Sequence, residues 1–218
     1  MSVGVEGEKR LAAEAAGELV EDGMRVGLGT GTTVAFLLEA IARRAPRAVF
    51  VASSPRTEVA ARTLGLRVQP FDDFERLDLA IDGADQIAPD GWLIKGGGGA
   101  HTREKIVAAA AERFVVIADA TKLVDVLHAP VPLELSSFGL AATLVQLEAC
   151  EVRHAPASPD GGVIADYQGA VDAPCELARW LSATPGVIAH GLFAPELVSE
   201  LLVGTGDTVR RTIIGGTP

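Results

Sequence analysis

Two aspartates, a lysine and a glutamate stand around four consecutive glycines in DGADQIAPDGWLIKGGGGAHTREK, residues 82–105. Asp82, Asp85, Lys95 and Glu104 are residue types that move protons and hold developing negative charge. Carboxylates three residues apart serve as acid and base, as half of a metal site, or as an ordinary turn. The metal reading is the weakest, because no His or further close acid completes a ligand set. Four glycines cost about 0.5–1 kcal/mol each relative to alanine where the backbone is fixed in regular structure. Gly96, Gly97, Gly98 and Gly99 therefore read either as a hinge or as a loop that lets backbone come close to a ligand. Lys95 on one side and a helix bearing Arg103 and Glu104 on the other favour the ligand loop. An acid in a first helical turn also stabilises the helix by itself, which is the plainer reading of Glu104 alone.

A second concentration is GLGTGTT, residues 27–33. It is no Walker A loop, since no lysine follows, and Thr32 stands where a dinucleotide fingerprint needs its third glycine. Two readings remain equally open. One is a cradle for phosphate or hydroxyl groups built from Thr30, Gly31, Thr32 and Thr33; the other is a tight strand-to-helix turn capped by threonine. DATK, residues 119–122, closes another apolar run. Lys122 there is a point charge for an anion or a solvated surface lysine. The four histidines share no spacing, and none is assigned a catalytic role.

These residues need a frame. MRVGLG, AVFVASS, LRVQP, LDLAID and FVVIAD read as strands and alternate with helical segments, TTVAFLLEAIARRA, PRTEVAARTLG opened by Ser54 and Pro55, and HTREKIVAAAAER. A further helix is expected over residues 8–22. Such alternation implies a Rossmann-like, mostly parallel sheet with helices on both faces, whose ligands bind beyond the carboxyl ends of the strands. The threonine loop, Ser53, the DGAD tetrapeptide and DATK all fall at such ends. After Pro130 the order becomes β-α-β-β-α-β, the split motif of a smaller ferredoxin-like α+β domain. The expected division is 1–128 with 196–218 as the catalytic domain and 129–195 as the small domain, which would serve in oligomerisation and as a cover for the active site.

Composition narrows the partners. Of 218 residues, 48% are hydrophobic and 22% charged, and 19 basic against 29 acidic side chains give a net charge of −10, which repels nucleic acid and anionic membrane. Two cysteines without CxxC spacing suit a reducing compartment. Glu6, Glu8 and Glu14 replace the basic start of a secretory signal, so a cytoplasmic protein is expected.

GLGTGTT, SSPRTEVAARTLG, DLAIDGADQI, LIKGGGGAHTREK, IADATK and PGVIAHGLF, in this order, resemble the type A family of ribose 5-phosphate isomerase. The resemblance implies interconversion of ribose 5-phosphate and ribulose 5-phosphate through an enediolate, with no metal and no organic cofactor. It implies Glu104 as catalytic base and Lys95, Asp82 and Asp85 as its polar cluster. For substrate binding it implies Thr30, Gly31, Thr32, Thr33, Gly96, Gly97, Gly98 and Lys122, to which Ser53, Gly83, Ala84 and Arg103 are added as neighbours of those motifs. A homodimer, or a tetramer, is implied as well. Gln86, His101 and Thr121 depart from the family's usual residues, and Gln86 changes the charge beside Asp85. Two rival functions carry different expectations. A non-catalytic sugar-phosphate sensor binds without turnover, and an acyl or coenzyme A transferase uses a glutamate nucleophile.

Overall fold

The computed structural model describes residues 4–215; the ends of the expected catalytic domain, 1–3 and 216–218, lie outside the described residues. In chain order the elements are α1 (Val5–Gly17), β1 (Arg25–Leu28), α2 (Thr32–Arg44), β2 (Val49–Ala52), α3 (Pro55–Thr63), β3 (Leu79–Gly83), β4 (Gln86–Ile87), β5 (Leu93–Ile94), α4 (His101–Ala110) and β6 (Phe114–Asp119). They continue as β7 (Val131–Leu135), α5 (Leu140–Leu147), β8 (Cys150–Val152), β9 (Val163–Tyr167), α6 (Pro174–Ala183), β10 (Val187–His190), β11 (Leu192–Phe193), β12 (Glu200–Thr205) and β13 (Thr208–Ile213). The chain divides into two compact units. One comprises Met1–Ala84, Arg103–Leu123 and Pro195–Pro218, the other Asp85–Thr102 and Val124–Ala194.

The first unit is built on a six-stranded sheet in the order β13-β12-β6-β3-β1-β2. All neighbours pair in parallel except β12 and β13, which form an antiparallel hairpin. Strand alternation sends β1 side chains to both faces. Val26 and Leu28 join a core with Ala12, Ala13 and Ala16 of α1, Leu37 and Ile41 of α2 and Ala61 of α3. Gly27 faces the other way, where a Cβ would overlap Val107 Cγ1 of α4. The absence of a side chain at Gly27 thus sets how close α4 lies to the sheet. Because β1, β2, β3 and β6 run in parallel, their carboxyl ends share one edge, where Thr30–Thr33, Ser53, Asp82 and Lys122 follow.

Two local expectations differ from the structure. The first helix ends at Gly17, and Val20 is buried from the turn that follows. There Arg44 donates to the carbonyls of Gly17 and Val20 at 2.6 and 2.9 Å, so a cation completes the helix terminus. LRVQP makes a single bridge, Phe50 to Val68, and no full strand. Pro70 brings no amide to a ladder and ends the pairing after Gln69.

The second unit carries the β7-α5-β8-β9-α6-β10 order on a four-stranded antiparallel sheet arranged β10-β7-β9-β8, which is the ferredoxin-like pattern. Val131, Leu133 and Leu135 alternate along β7 into a core with Leu147, Ala165 and Leu181. The same unit holds a small antiparallel sheet, β11-β5-β4, that the sequence did not announce. Asp90 and Gly91 make its turn: the Trp92 amide donates to Asp90 Oδ1, and Gly91 takes a φ of +87°. This sheet brings Asp85 and Lys95 to the same end, since the Asp85 amide donates to the Ile94 carbonyl at 2.8 Å.

Candidate active site

On the first unit, the threonine loop resolves into two functions. The Thr30 hydroxyl donates to Ser54 Oγ at 2.7 Å and lies 3.1 Å from both Ser53 Oγ and Thr57 Oγ1; Thr57 in turn donates to the Gly29 carbonyl at 2.9 Å. This buried hydroxyl network ties the loop to the start of α3, whose Ser54 cap also accepts the Thr57 amide. Gly31 and Thr32 remain exposed. No side chain caps α2, whose N-cap is Gly31 at φ +129°. The first amides and positive end of α2 therefore face the open side of the loop, the arrangement that suits an anion. Lys9 of α1 adds a cation there: its Nζ donates to Thr32 Oγ1 at 3.2 Å.

Asp82, the penultimate residue of β3, is buried beneath this loop, its Oδ1 accepting the amides of Thr30 at 3.0 Å and Gly83 at 2.7 Å. A Cβ on Gly29 would overlap the Asp82 carboxyl group. Gly29 thus clears the space in which this carboxylate sits. Glu104 occupies the first turn of α4 and is 4% exposed, one turn ahead of Val107, which packs on Gly27. Arg103 shares that first turn.

Lys105, next in the chain, is pushed down by burial from 10.5 to about 7. Between these values the unfolded chain binds the proton and the folded chain does not, so stability rises with pH across that window. Lys105→Met keeps an apolar stem without the charge. We expect it to be more stable than the parent at about pH 6 and to lose the advantage toward about pH 10, as read from urea midpoints taken across that range.

Lys122 ends a short 3₁₀ turn, Ala120–Lys122, that follows β6. Asp119 accepts the amide and hydroxyl of Thr121, and Glu8 of α1 bridges the Ala120 and Gly206 amides at 3.1 and 2.8 Å. Glu8 and Lys9 are adjacent, so one turn of α1 both pins the Lys122 segment and supplies the threonine-loop cation.

On the second unit, Asp85 Oδ2 accepts the Gly97 amide at 2.7 Å, which joins the DGAD tetrapeptide to the oligoglycine turn. Lys95 is 2% exposed; its amide donates to the Gly191 carbonyl at 2.8 Å, and its Nζ lies 5.3 Å from the Phe193 ring centroid. Gly97 and Gly98 are exposed, whereas Gly96 and Gly99 are buried. Gln86 is buried and takes a structural place, exchanging bonds with the His128 backbone: its Nε2 donates to the carbonyl at 2.8 Å and its Oε1 accepts the amide at 2.9 Å. At the start of α4, Thr102 donates to the buried Glu134, which also accepts from Ser158 at 2.5 Å.

Several of these residues escaped the sequence. Lys9 looks like any solvated helix lysine until the fold brings Thr32 to it, and Ser54 and Thr57 read only as helix-start residues. Cys150 offers no nucleophile: burial, with the charges of Asp166 and Glu151, raises its thiol to about 11. Among the described residues, no three His, Cys, Asp or Glu side chains gather so as to hold a metal ion. Nor, among those residues, is any helix long and apolar enough to cross a membrane.

The family model described as ribose 5-phosphate isomerase A (phosphoriboisomerase A) matches residues 49–208. A ribose-5-phosphate isomerase A of Rhodopseudomonas palustris is 45% identical, covering 93% of this chain and 95% of its own, and one of Natronomonas pharaonis is 44% identical with 95% and 97% coverage. The crystal structure of ribose 5 phosphate isomerase A from Neisseria gonorrhoeae superposes with a TM-score of 0.94 at 31% identity, covering 99% of this chain and 100% of that one. On a family-model match over most of its length and relatives at this identity, the chain belongs to the ribose 5-phosphate isomerase A family.

Proposed function

We infer that this protein interconverts ribose 5-phosphate and ribulose 5-phosphate, an aldose-ketose isomerisation. The observation that carries the reading is the relatives' match across nearly the whole chain, with Glu104 present as a buried carboxylate just after the oligoglycine turn. A related D-ribose-5-phosphate isomerase, 32% identical with a TM-score of 0.91, has been solved in complex with phospho-erythronic acid. That ligand supports a phosphorylated polyol acid as the kind of molecule this site takes.

Isomerisation moves a proton between C1 and C2 of the open-chain sugar, and the hydrogen beside a carbonyl leaves only if the enediolate is stabilised as it forms. In our assignment, Glu104 takes the C2 proton of the aldose and returns it to C1. Lys95 meets the charge that grows on the carbonyl oxygen; its burial makes that attraction stronger than in water. Asp82 and Asp85 hold the substrate hydroxyls and relay their protons, including those moved in opening the furanose ring. Backbone amides of Ala84 and Gly98 add donors.

For the phosphate we assign the amides of the α2 start with Lys9 and Lys122; Thr32 and Thr33 supply hydroxyls beside them. Binding at this remote end orients the reacting carbons, so its loss lowers turnover as well as affinity. A cytoplasmic location and self-association as a homodimer complete the proposal, on the strength of the family resemblance. The exposed Phe138 and Val145 supply apolar surface for a second copy.

An isomerase assay on purified protein, with a chelator throughout, tests the reading. Interconversion of the two pentose phosphates is the expected result. Binding without turnover would instead indicate a sensor, and turnover of an acyl-coenzyme A with no isomerisation would indicate a transferase.

A further inference from the structure

The oligoglycine turn is gripped by a side chain that no motif reading picked out. Gly96 and Gly99 close the turn, the Gly99 amide donating to the Gly96 carbonyl at 3.0 Å, and both take positive φ, +103° and +73°. Neither can carry a side chain comfortably: a Cβ on Gly96 would meet the His101 ring at 2.7 Å, and one on Gly99 would press on Ile164. Arg153, just beyond β8, reaches this turn with Nη1, which donates to the carbonyls of Gly96 at 3.2 Å and Gly97 at 3.1 Å. Its Nε and Nη2 are both held at 2.6 Å by the two oxygens of Asp166, a residue of β9 whose strand neighbours are β7 and β8. The pair is mostly buried, 20% and 16% exposed. A bidentate pair of this kind fixes the guanidinium plane as well as its position.

The consequence follows from the geometry of a trans peptide, in which C=O and N–H point in opposite directions. The 96–97 peptide shows it directly, with its carbonyl on Arg153 and its amide on Asp85 Oδ2. The 97–98 peptide also gives its carbonyl to Arg153, so the Gly98 amide is turned away from the guanidinium, toward the side on which Asp85 stands. Gly98 is exposed, and among the described residues no group accepts its amide.

We propose that Arg153, aligned by Asp166, is a positioning residue: it orients the glycine turn so that the Gly98 amide is presented, beside Asp85, as a donor to a substrate oxygen. The proposal rests on the isomerase reading for its substrate, but the clamp itself is independent of it. Lysine is a poor replacement, because a point charge cannot hold both Asp166 oxygens and still bridge two carbonyls.

Three variants, Arg153→Met, Arg153→Lys and Asp166→Asn, test it by kcat and KM for ribose 5-phosphate, thermal midpoint, and amide hydrogen exchange over residues 95–100. For Arg153→Met we expect kcat to fall about 10- to 100-fold with KM changed less than about threefold, as for a displaced donor. Exchange at the Gly97 and Gly99 amides should accelerate by about tenfold or more. Arg153→Lys and Asp166→Asn should fall between parent and Arg153→Met in both readouts. Unchanged kcat and exchange would overturn the proposal. So would a loss confined to KM, which would mark Arg153 as a substrate contact, or a lower midpoint with kcat per folded molecule retained. If the parent itself fails to isomerise the sugar phosphate, the functional reading falls, and the exchange comparison still decides the clamp.

Discussion

Replacing Glu104, the base in our proposal, with glutamine is expected to lower kcat by about a hundred- to ten-thousandfold while the protein stays folded. The size is that of losing a general base, and the fold survives because glutamine has nearly the same volume and keeps an oxygen for hydrogen bonding at a site only 4% exposed to solvent. KM should move little, since the base acts as the proton leaves. Glu104→Asp is the companion variant. It keeps the carboxylate but withdraws it by about one carbon–carbon bond, ~1.5 Å, and a displacement of that size costs about a hundredfold. Steady-state rates and loss of deuterium from C2-labelled substrate measure both. Parent-level turnover by Glu104→Gln would remove Glu104 from the chemistry altogether.

Gly29→Ala should be nearly as damaging, although it adds only a methyl group. That methyl would occupy the place of the Asp82 carboxyl group, which is fixed from above by the amides of Thr30 and Gly83. Either the carboxylate is expelled and both amides lose their acceptor, or the loop backs away and pulls the Thr30 hydroxyl from Ser54. Overpacking of this kind costs about 1–3 kcal/mol, and the displaced carboxylate lowers kcat by about a hundredfold. The double variant Gly29→Ala/Asp82→Gly separates the two effects. Removing the whole Asp82 side chain makes room for the methyl, which would otherwise lie 2.4 Å from Asp82 Cβ, so the stability costs of the single changes should fail to add, while activity stays low. Urea denaturation with kcat on all three proteins provides the cycle. Full activity in Gly29→Ala would mean that the position of Asp82 is unimportant to turnover.

The sequence disclosed the frame more readily than the fine geometry, and particular residues show why. Val26, Leu28 and the apolar run of β6 announce buried parallel strands, because a strand covered on both faces leaves a hydrophobic signature. DGAD and the threonine loop lie at strand ends, so their shared edge follows from topology alone. Gln86–Ile87 and Leu93–Ile94 escaped because two residues hold no period, and their third partner, Leu192–Phe193, comes from a distant part of the chain. The threonine loop stood open between cradle and capped turn; the structure spends Thr30 on neighbouring hydroxyls and leaves α2 without a side-chain cap. Lys9 and Arg153 lie outside every motif. Each gains its meaning from a partner that only the tertiary fold brings near, Thr32 for one and two glycine carbonyls for the other.

The single bridge made by residues 66–70 has an effect at the rim of the large sheet. β2 is the last strand on its side, and its outward peptide groups at Phe50 are occupied, the amide by the Arg67 carbonyl and the carbonyl by the Gln69 amide, each at 2.9 Å. Pro70 then closes the segment before it can offer a ladder of its own. A foreign strand arriving at this rim finds the Phe50 groups taken, which interrupts the ladder that edge-to-edge stacking into fibrils would need.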